Sequence, residues 1–513
     1  MKRILFCILC LFPFCLSATM PDNPVLNKAI DLPKSKGTVY EMLHIISEVS
    51  GMLFIYNNKT LDNNSKTRIK KGKNTLQQAI LDVTQKPDLK MKVIGNHILL
   101  YTETAETTGI TSPAQETGSA GQPFVRIEGE IKDQDSFEPL PFTSVTLNDN
   151  SIGTVANQNG QFLLKIPDSL KHGTVRFSYV GYESRDIPIE LLTEGNMDIF
   201  LHIKVISIQE IIINIVNPLK IVNEMLEKRS ENYFDKPVYL TAFYREGIDY
   251  KNGFINLTEA VFNIYKHPFH SGKEDQVKLL KMRKISNKNI NDSILLKLKA
   301  GISASLLLDL IGNPPDFLET EEGNPYNYAK IDMTTIDSRP AHVIAFEQKP
   351  GIEEPLYKGE LYIDAENSAL LSAHFGINPL YVKKAKSSLV VKQSKGVDIS
   401  PKEVVYTVSY KEFEGKYYLH YIRGDLNFTV KKKGWLFNRS STINSFFEMV
   451  VSNADLTDVK PFHPGESLPT SKIFSETKYN YDPNFWGNFN VILPEQKLSD
   501  EIERISSKIE ESF

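Results

Sequence analysis

Twice within residues 29–101, apolar residues recur at helical spacing directly behind a threonine. Thr38 precedes Val39, Met42 and Leu43, and Thr75 precedes Leu76, Ala79 and Ile80. A hydroxyl in that place accepts a hydrogen bond from the first turn, so both threonines predict helix starts. The first helix is expected to end at Gly51 and lead into a strand over Met52–Tyr56. After the second, Leu89–Val93 and His97–Tyr101 flank the turn pair Gly95-Asn96 and predict a hairpin. Residues 29–101 therefore read as a small α/β module. From Thr102 to Pro123 the pattern stops: Thr, Ser, Gly, Ala and Glu dominate, with Ile110 as the one sizeable aliphatic. Such a stretch cannot offset its ordering entropy and predicts a flexible linker over 102–123.

At Phe124 the period changes to two. Val125, Ile127, Gly129 and Ile131 alternate with Arg126, Glu128, Glu130 and Lys132. Strand patterns follow at Thr143–Leu147, Gly153–Val155, Phe162–Ile166 and Val175–Tyr182, separated by turns such as Asn157–Gly160. Short strands at regular intervals predict a β-sandwich over 124–215. Val205–Val216 reads as one more buried strand.

Beyond Asn217, Pro218 opens a helix with Leu219, Ile221, Val222, Met225 and Leu226 as its apolar stripe. Long strands are expected at Tyr239–Glu246, Phe254–Tyr265, Lys358–Asp364, Val404–Tyr410, Tyr417–Ile422 and Asp425–Val430, with turns at Glu414-Gly415 and Lys433-Gly434. Ile294–Ile311 reads as a buried helix. Residues 217–460 thus predict an α+β domain, an antiparallel half-open barrel packed on a helix. Residues 461–513 form an extension that closes in an amphipathic helix, with Leu498, Ile502, Ile505, Ile509 and Phe513 on one face and Asp500 as its cap.

Four resemblances rest on these residues. The layout of 29–101 resembles the secretin and TonB short N-terminal domain, which implies protein–protein contacts in the periplasm. The stretch from Gly129 and Asp133, through Pro139-Leu140-Pro141 and the Asn-Gly-x-Phe turn, to Tyr179-Val180-Gly181-Tyr182 resembles the carboxypeptidase regulatory-like domain, a transthyretin-like Greek-key sandwich. It departs at Ala156-Asn157, where that family carries Thr-Asp, which touches turn chemistry only. The hairpin Gly359–Asp364 resembles one in the outer-membrane lipoprotein carriers. The order of modules, with Phe243-Tyr244-Arg245-Glu246 and Phe485–Ile492, resembles envelope proteins of Bacteroidetes.

Composition adds the compartment. Lys2 and Arg3, the apolar run Ile4–Leu16 and the small residues Ser17-Ala18 make residues 1–18 a signal peptide. All three cysteines, Cys7, Cys10 and Cys15, lie inside it, so the mature chain is expected to have no thiol, disulfide or thiolate metal site. Phe14 before Cys15 and Leu9 before Cys10 argue against a lipid-anchor cysteine. Net charge is −4 with no basic excess and no clustered basic face, which excludes a nucleic-acid footprint. The expected location is the periplasm, in association with the outer membrane.

Chemistry is hard to find. His463-Pro464-Gly465-Glu466 has the spacing of a zinc peptidase motif, but no histidine follows it to serve as the distant third ligand. His267 and His270 flank Pro268-Phe269 in a loop without neighbouring carboxylate ligands, and read as solvated. Gly301–Ser305 lacks the second glycine of a nucleophile elbow. Arg245 and Glu246 read as a buried ion pair, and Lys431–Lys433 with Trp435 as a solvated hairpin tip. No catalytic, cofactor or metal residue is assigned. The expectation is a non-enzymatic scaffold or adaptor that binds an envelope protein. The alternatives are a carrier or chaperone for lipid, lipoprotein or outer-membrane protein in the half-barrel, and a hydrolase of unrecognised type.

Overall fold

The computed structural model describes residues 23–102, 123–204 and 217–500, apart from 58–59, 194, 251–252, 287–295, 299–300, 322, 394–396, 433–438, 468–485 and 496–497. The signal peptide expected over residues 1–18, nearly all of the expected linker, the strand expected at Val205–Val216 and the tip Lys433–Trp435 lie outside the described residues. The chain divides into two compact units, Met1–Gln115 and Glu116–Phe513. Among the described residues no helix is long and apolar enough to cross a membrane.

The first unit contains β1 (Ala29–Leu32), β2 (Ser35–Thr38), α1 (Val39–Ser50), β3 (Leu53–Ile55), β4 (Lys66–Ile69), β5 (Gly72–Thr75), α2 (Leu76–Thr84), β6 (Lys90–Ile94) and β7 (His97–Tyr101). Thr38 caps α1 in a reciprocal box with Glu41, Gly51 ends it in the left-handed region at φ 75°, and Thr75 caps α2. Met42, Leu43 and Ile46 of α1 face Leu76, Ala79 and Ile80 of α2 in one core. Each of the Met, Leu and Ile side chains, fully buried, contributes about 1.5–3 kcal/mol. β3 runs parallel to β7, and β6 closes the hairpin onto it.

In the second unit, β8 (Phe124–Asp133), β11 (Gln161–Pro167) and β14 (Met197–Leu201) form a three-stranded sheet, ordered β11-β8-β14. A second sheet has the order β10-β9-β12-β13, built from β9 (Ser144–Leu147), β10 (Gly153–Val155), β12 (Thr174–Ser178) and β13 (Arg185–Pro188). Phe162 from one sheet meets Phe177 from the other, edge to face at 5.3 Å. That contact makes the pair a sandwich.

A ten-stranded antiparallel sheet fills the rest. Its strands are β15 (Val238–Tyr250), β16 (Gly253–Lys266), β17 (Gln276–Ser286), β19 (Tyr326–Ile336), β20 (Arg339–Gln348), β21 (Tyr357–Asp364), β22 (Leu370–Ile377), β24 (Val397–Phe413), β25 (Lys416–Lys432) and β26 (Arg439–Asp455). They run in the order β17-β16-β15-β26-β25-β24-β22-β21-β20-β19, with β17 and β19 as open edges. The short strands β18 (Leu296–Leu298) and β23 (Val390–Gln393) pair separately. Helix α3 (Pro218–Glu227) packs on β19 and β21, α4 (Arg229–Asn232) on β25, and α5 (Ile302–Leu307) on β26. Contacts with strands so far apart in the order require the sheet to curve around its helices. Phe317 is fully buried among Phe346 at 4.4 Å, Phe375 at 5.0 Å and Tyr357 at 5.6 Å.

Three expected elements differ. Among the described residues of Ile294–Ile311 the expected helix is confined to α5, because Gly301 sits at φ 105° and ψ −177°, which no helix accommodates, and Leu296–Leu298 is a strand. The strands expected at Tyr417–Ile422 and Asp425–Val430 are one strand, β25, since Arg423-Gly424 stays in register with both neighbours. At the C-terminal end the chain is already helical from Leu498 to Asp500, so Asp500 lies inside that turn and does not cap it; the remainder is outside the described residues.

Candidate functional site

At one end of the large sheet, β16 terminates in Lys266, and the connection to β17 doubles back over α5. Lys266 Nζ is 2.7 Å from Asp275 and 2.8 Å from Asp309. Asp309 Oδ1 also accepts from the Tyr410 hydroxyl at 2.9 Å and the Ile311 amide at 3.3 Å. Burial pushes the Asp309 carboxyl up, but the Lys266 ammonium and hydrogen bonds from Lys266, Tyr410 and the Gly312 backbone outweigh it and hold it below the usual range. Burial pulls Lys266 down, and its two carboxylates outweigh that in turn, so the ammonium is held. Gly312 lets the bridge close, because a Cβ there would lie 3.0 Å from Asp309 Oδ2 and 3.2 Å from Lys266 Nζ.

This bridge stands between two cavities. The outer one, about 310 Å³, is walled by Pro268, Phe269, Leu306 and Leu307, with Lys273 and Glu274 at its rim. Leu307 is 66% exposed there, unusual for a leucine. The inner one, about 40 Å³, is lined by Tyr233, Phe234, Leu240 and Leu419 and shares Lys266, His267, Phe269 and Gly312 as its wall. His267 and His270 pack edge-on against Tyr265 and Phe269 respectively. Among the described residues no three His, Cys, Asp or Glu side chains gather as a metal site requires.

The opposite face of the sheet holds a charge ladder. Arg283, Glu259, Arg245, Glu448 and Arg423 stand directly opposite one another on β17, β16, β15, β26 and β25. Arg245 donates to Glu259 at 2.7 Å and to Glu448 at 3.0 Å, Arg283 pairs with Glu259, and Arg423 donates to Glu448 at 3.2 Å. Every member is buried. The ion pair expected between Arg245 and Glu246 does not form, because consecutive strand residues point to opposite faces. Glu246 lies on the inner face instead, where Tyr244 donates to it at 2.8 Å and burial pushes its carboxyl up to about 7.

Glu466 accepts from Lys278 at 2.7 Å and from the His463 amide at 3.1 Å, so the peptidase-like spacing is spent on an exposed turn. Gly301–Ser305 opens α5, where Ser305 donates back to the Gly301 carbonyl. One constellation has no signal in the sequence: Ser144 Oγ lies 3.1 Å from His420 Nε2 and 3.5 Å from Lys411 Nζ, which pairs with Asp337 at 2.7 Å. These groups come from the sandwich and the sheet, and they form the polar seam between the two.

Within the sandwich, Tyr182 donates to Asp133 at 2.9 Å, and the Gly181 amide donates out of the domain to Thr335 of β19 at 2.8 Å. Residues 127–213 match the CarboxypepD_reg-like domain. That domain is thus seated on the large sheet: Ser151 donates to Ala454 at 2.8 Å, and Val155 packs with Phe243 and Val450. Comparison with curated proteins finds no match. Among solved structures the chain is similar to an outer membrane lipoprotein-sorting protein domain from Vibrio parahaemolyticus, at 10% identity and TM-score 0.22, covering 48% of this chain and 95% of that one. A LolA superfamily protein from Nitrosomonas europaea is similar at 10% identity and TM-score 0.18, over 48% and 96% of the two chains. A DUF1329 family protein from Desulfovibrio piger gives 12% identity and TM-score 0.21, over 48% and 96%.

Proposed function

We propose that the protein is a non-enzymatic binding protein of the cell envelope, and that its large sheet holds the apolar end of an amphiphile in the cavity beside Lys266. The observation that carries this reading is a cavity of about 310 Å³ with Leu306, Leu307, Phe269 and Pro268 on its walls and a closed ion bridge at its base. Apolar walls with a few fixed polar groups are the general make-up of small-molecule sites. The Lys266 ammonium is neutralised by Asp275 and Asp309, so the base offers little net attraction to an anion; affinity would come from the chain, as with the acyl group of a lipid or lipoprotein. The leader-like residues 1–18 support a periplasmic location.

The test is native mass spectrometry of the purified chain together with displacement of an environment-sensitive apolar fluorophore. Co-purified lipid, and a probe that Leu307→Asp expels, would bear the reading out; a probe that binds wild type and variant alike would overturn it.

The adaptor reading keeps one specific support. The first unit, with its own core and with β3 and β6 as edge strands, is a separate binding-sized fold. The CarboxypepD_reg-like domain supports it less, because one side of it is committed to its own chain.

A further inference from the structure

The segment around Trp486–Ile492 stands out in the sequence, and neither the cavity nor the seam uses it. Residues 486–495 form a strap without helix or strand, laid between the CarboxypepD_reg-like sandwich and the outer face of the large sheet. Four successive carbonyls of the strap, those of Val491, Ile492, Leu493 and Pro494, each meet a donor. These are Thr154 at 3.3 Å, Arg245 Nη2 at 2.7 Å, Arg245 Nη1 at 3.4 Å and Asn157 at 3.3 Å. Two donors belong to the sandwich and two to the ladder arginine. Asn490 adds an amide clamp on the edge strand β11: its Oδ1 accepts from the Lys165 N–H at 2.6 Å and its Nδ2 donates to the Lys165 carbonyl at 3.0 Å. Trp486 anchors one end, edge-on to Phe243 at 5.3 Å and beneath the Arg283 guanidinium at 5.1 Å. Ile492 anchors the other, 1% exposed.

This is how a groove holds a peptide: main-chain groups are read by fixed donors, an edge strand supplies a pair of hydrogen bonds, and pockets take the anchors. The four carbonyl contacts depend on the course of the backbone and not on the strap's side chains. We infer that the furrow is a peptide-recognition site which the chain fills with its own strap. The same furrow takes a segment of another polypeptide that carries an aromatic residue, an asparagine four positions on, and two aliphatic residues after it. Tethering gives the strap an effective concentration of roughly millimolar, so a free segment of equal intrinsic affinity is excluded until the strap lets go. The inference is independent of the cavity and its ligand.

The experiment uses the full chain with a specific protease site placed within residues 468–485, cut after purification so that both pieces remain present. The probe is a fluorescein-labelled peptide of residues 484–496. The uncut protein should leave the peptide free at ~100 µM, and the cut protein should bind it with a Kd of about 1–10 µM while releasing its own fragment. An Asn490→Ala peptide should bind at least about tenfold more weakly, since it loses both hydrogen bonds to Lys165. A cut protein that keeps its own fragment against excess peptide, or that unfolds on cutting by circular dichroism, would overturn the inference. So would equal binding by cut and uncut protein, or indifference to the Asn490 change.

Discussion

Arg245 and Glu448 face each other across β15 and β26, with Nη1 3.0 Å from Oε1 and neither residue more than 3% exposed. Desolvating such ions costs several kcal/mol each, which the pairing must offset. It does so by extension: each carboxylate is shared by two arginines, and Arg245 is completed by the carbonyls of Ile492 and Leu493. Glu448→Gln should therefore destabilise the second unit by about 3–5 kcal/mol, because it strips charge from the middle of a buried row. Urea unfolding of wild type and variant measures the difference. A loss below about 1 kcal/mol would mean that the ladder behaves as a surface pair.

Two buried groups set opposing pH dependences. Burial, then the nearby Lys411 ammonium, pulls the His420 imidazole down to about 3. Its unfolded value is about 6.5, so stability is fully present above that and falls as the pH drops towards 3, by about 2 kcal/mol between pH 7 and 5. Glu246 runs the other way. Its folded value of about 7 lies above the unfolded 4.5, so its contribution is present below 4.5 and is lost as the pH rises through 7. His420→Gln should flatten the acid limb of a stability–pH curve, and Glu246→Gln should raise stability at pH 8. Parallel curves for wild type and both variants would contradict this assignment.

How legible these features are depends on the distance over which they are decided. Thr38 and Thr75 announce their helices because a cap is settled within three residues. Asp133 and Tyr182 both stand out in the stretch that resembles the sandwich family, but their hydrogen bond, across 49 positions, is seen only in the fold. The ladder could not, since Arg245 finds its partners 14 and 203 positions away, while its sequence neighbour Glu246 points to the other face. Arg423-Gly424 reads as a break because a charged residue beside glycine is turn chemistry in a local window; in the sheet, Arg423 is the last rung. The apolar run Ile294–Ile311 hides the glycine that interrupts it. The cavity had no local signal at all, as its walls come from a loop, a short helix and a strand end that meet only in the fold.

Gly424 tests how tightly β25 and β26 approach. A Cβ there would lie 2.5 Å from the Phe447 ring, which is 1% exposed and has little room to turn. Gly424→Ala should cost about 1–3 kcal/mol by overpacking. Adding Phe447→Leu should recover part of that loss, giving a non-additive double mutant in thermal unfolding. Simple additivity would show that the ring moves aside freely.

Gly312 links the ion bridge to the proposed ligand cavity, so its replacement separates binding from stability. A methyl group at this position would press on Asp309 Oδ2 and Lys266 Nζ, which now close at 2.8 Å. The atoms can yield only by moving apart, into a wall that both cavities share. Gly312→Ala should thus lower thermal stability modestly, by about 1 kcal/mol, and change the affinity for an apolar fluorophore by severalfold. Asp309→Asn weakens the same bridge without adding volume, and should cost more stability, about 3 kcal/mol, because Lys266 keeps its charge with only Asp275 as a full partner. If the fluorophore responds to the added methyl and not to the lost charge, the shape of the wall governs the site. If both variants bind the probe as wild type does, the bridge is structural and the ligand lies elsewhere.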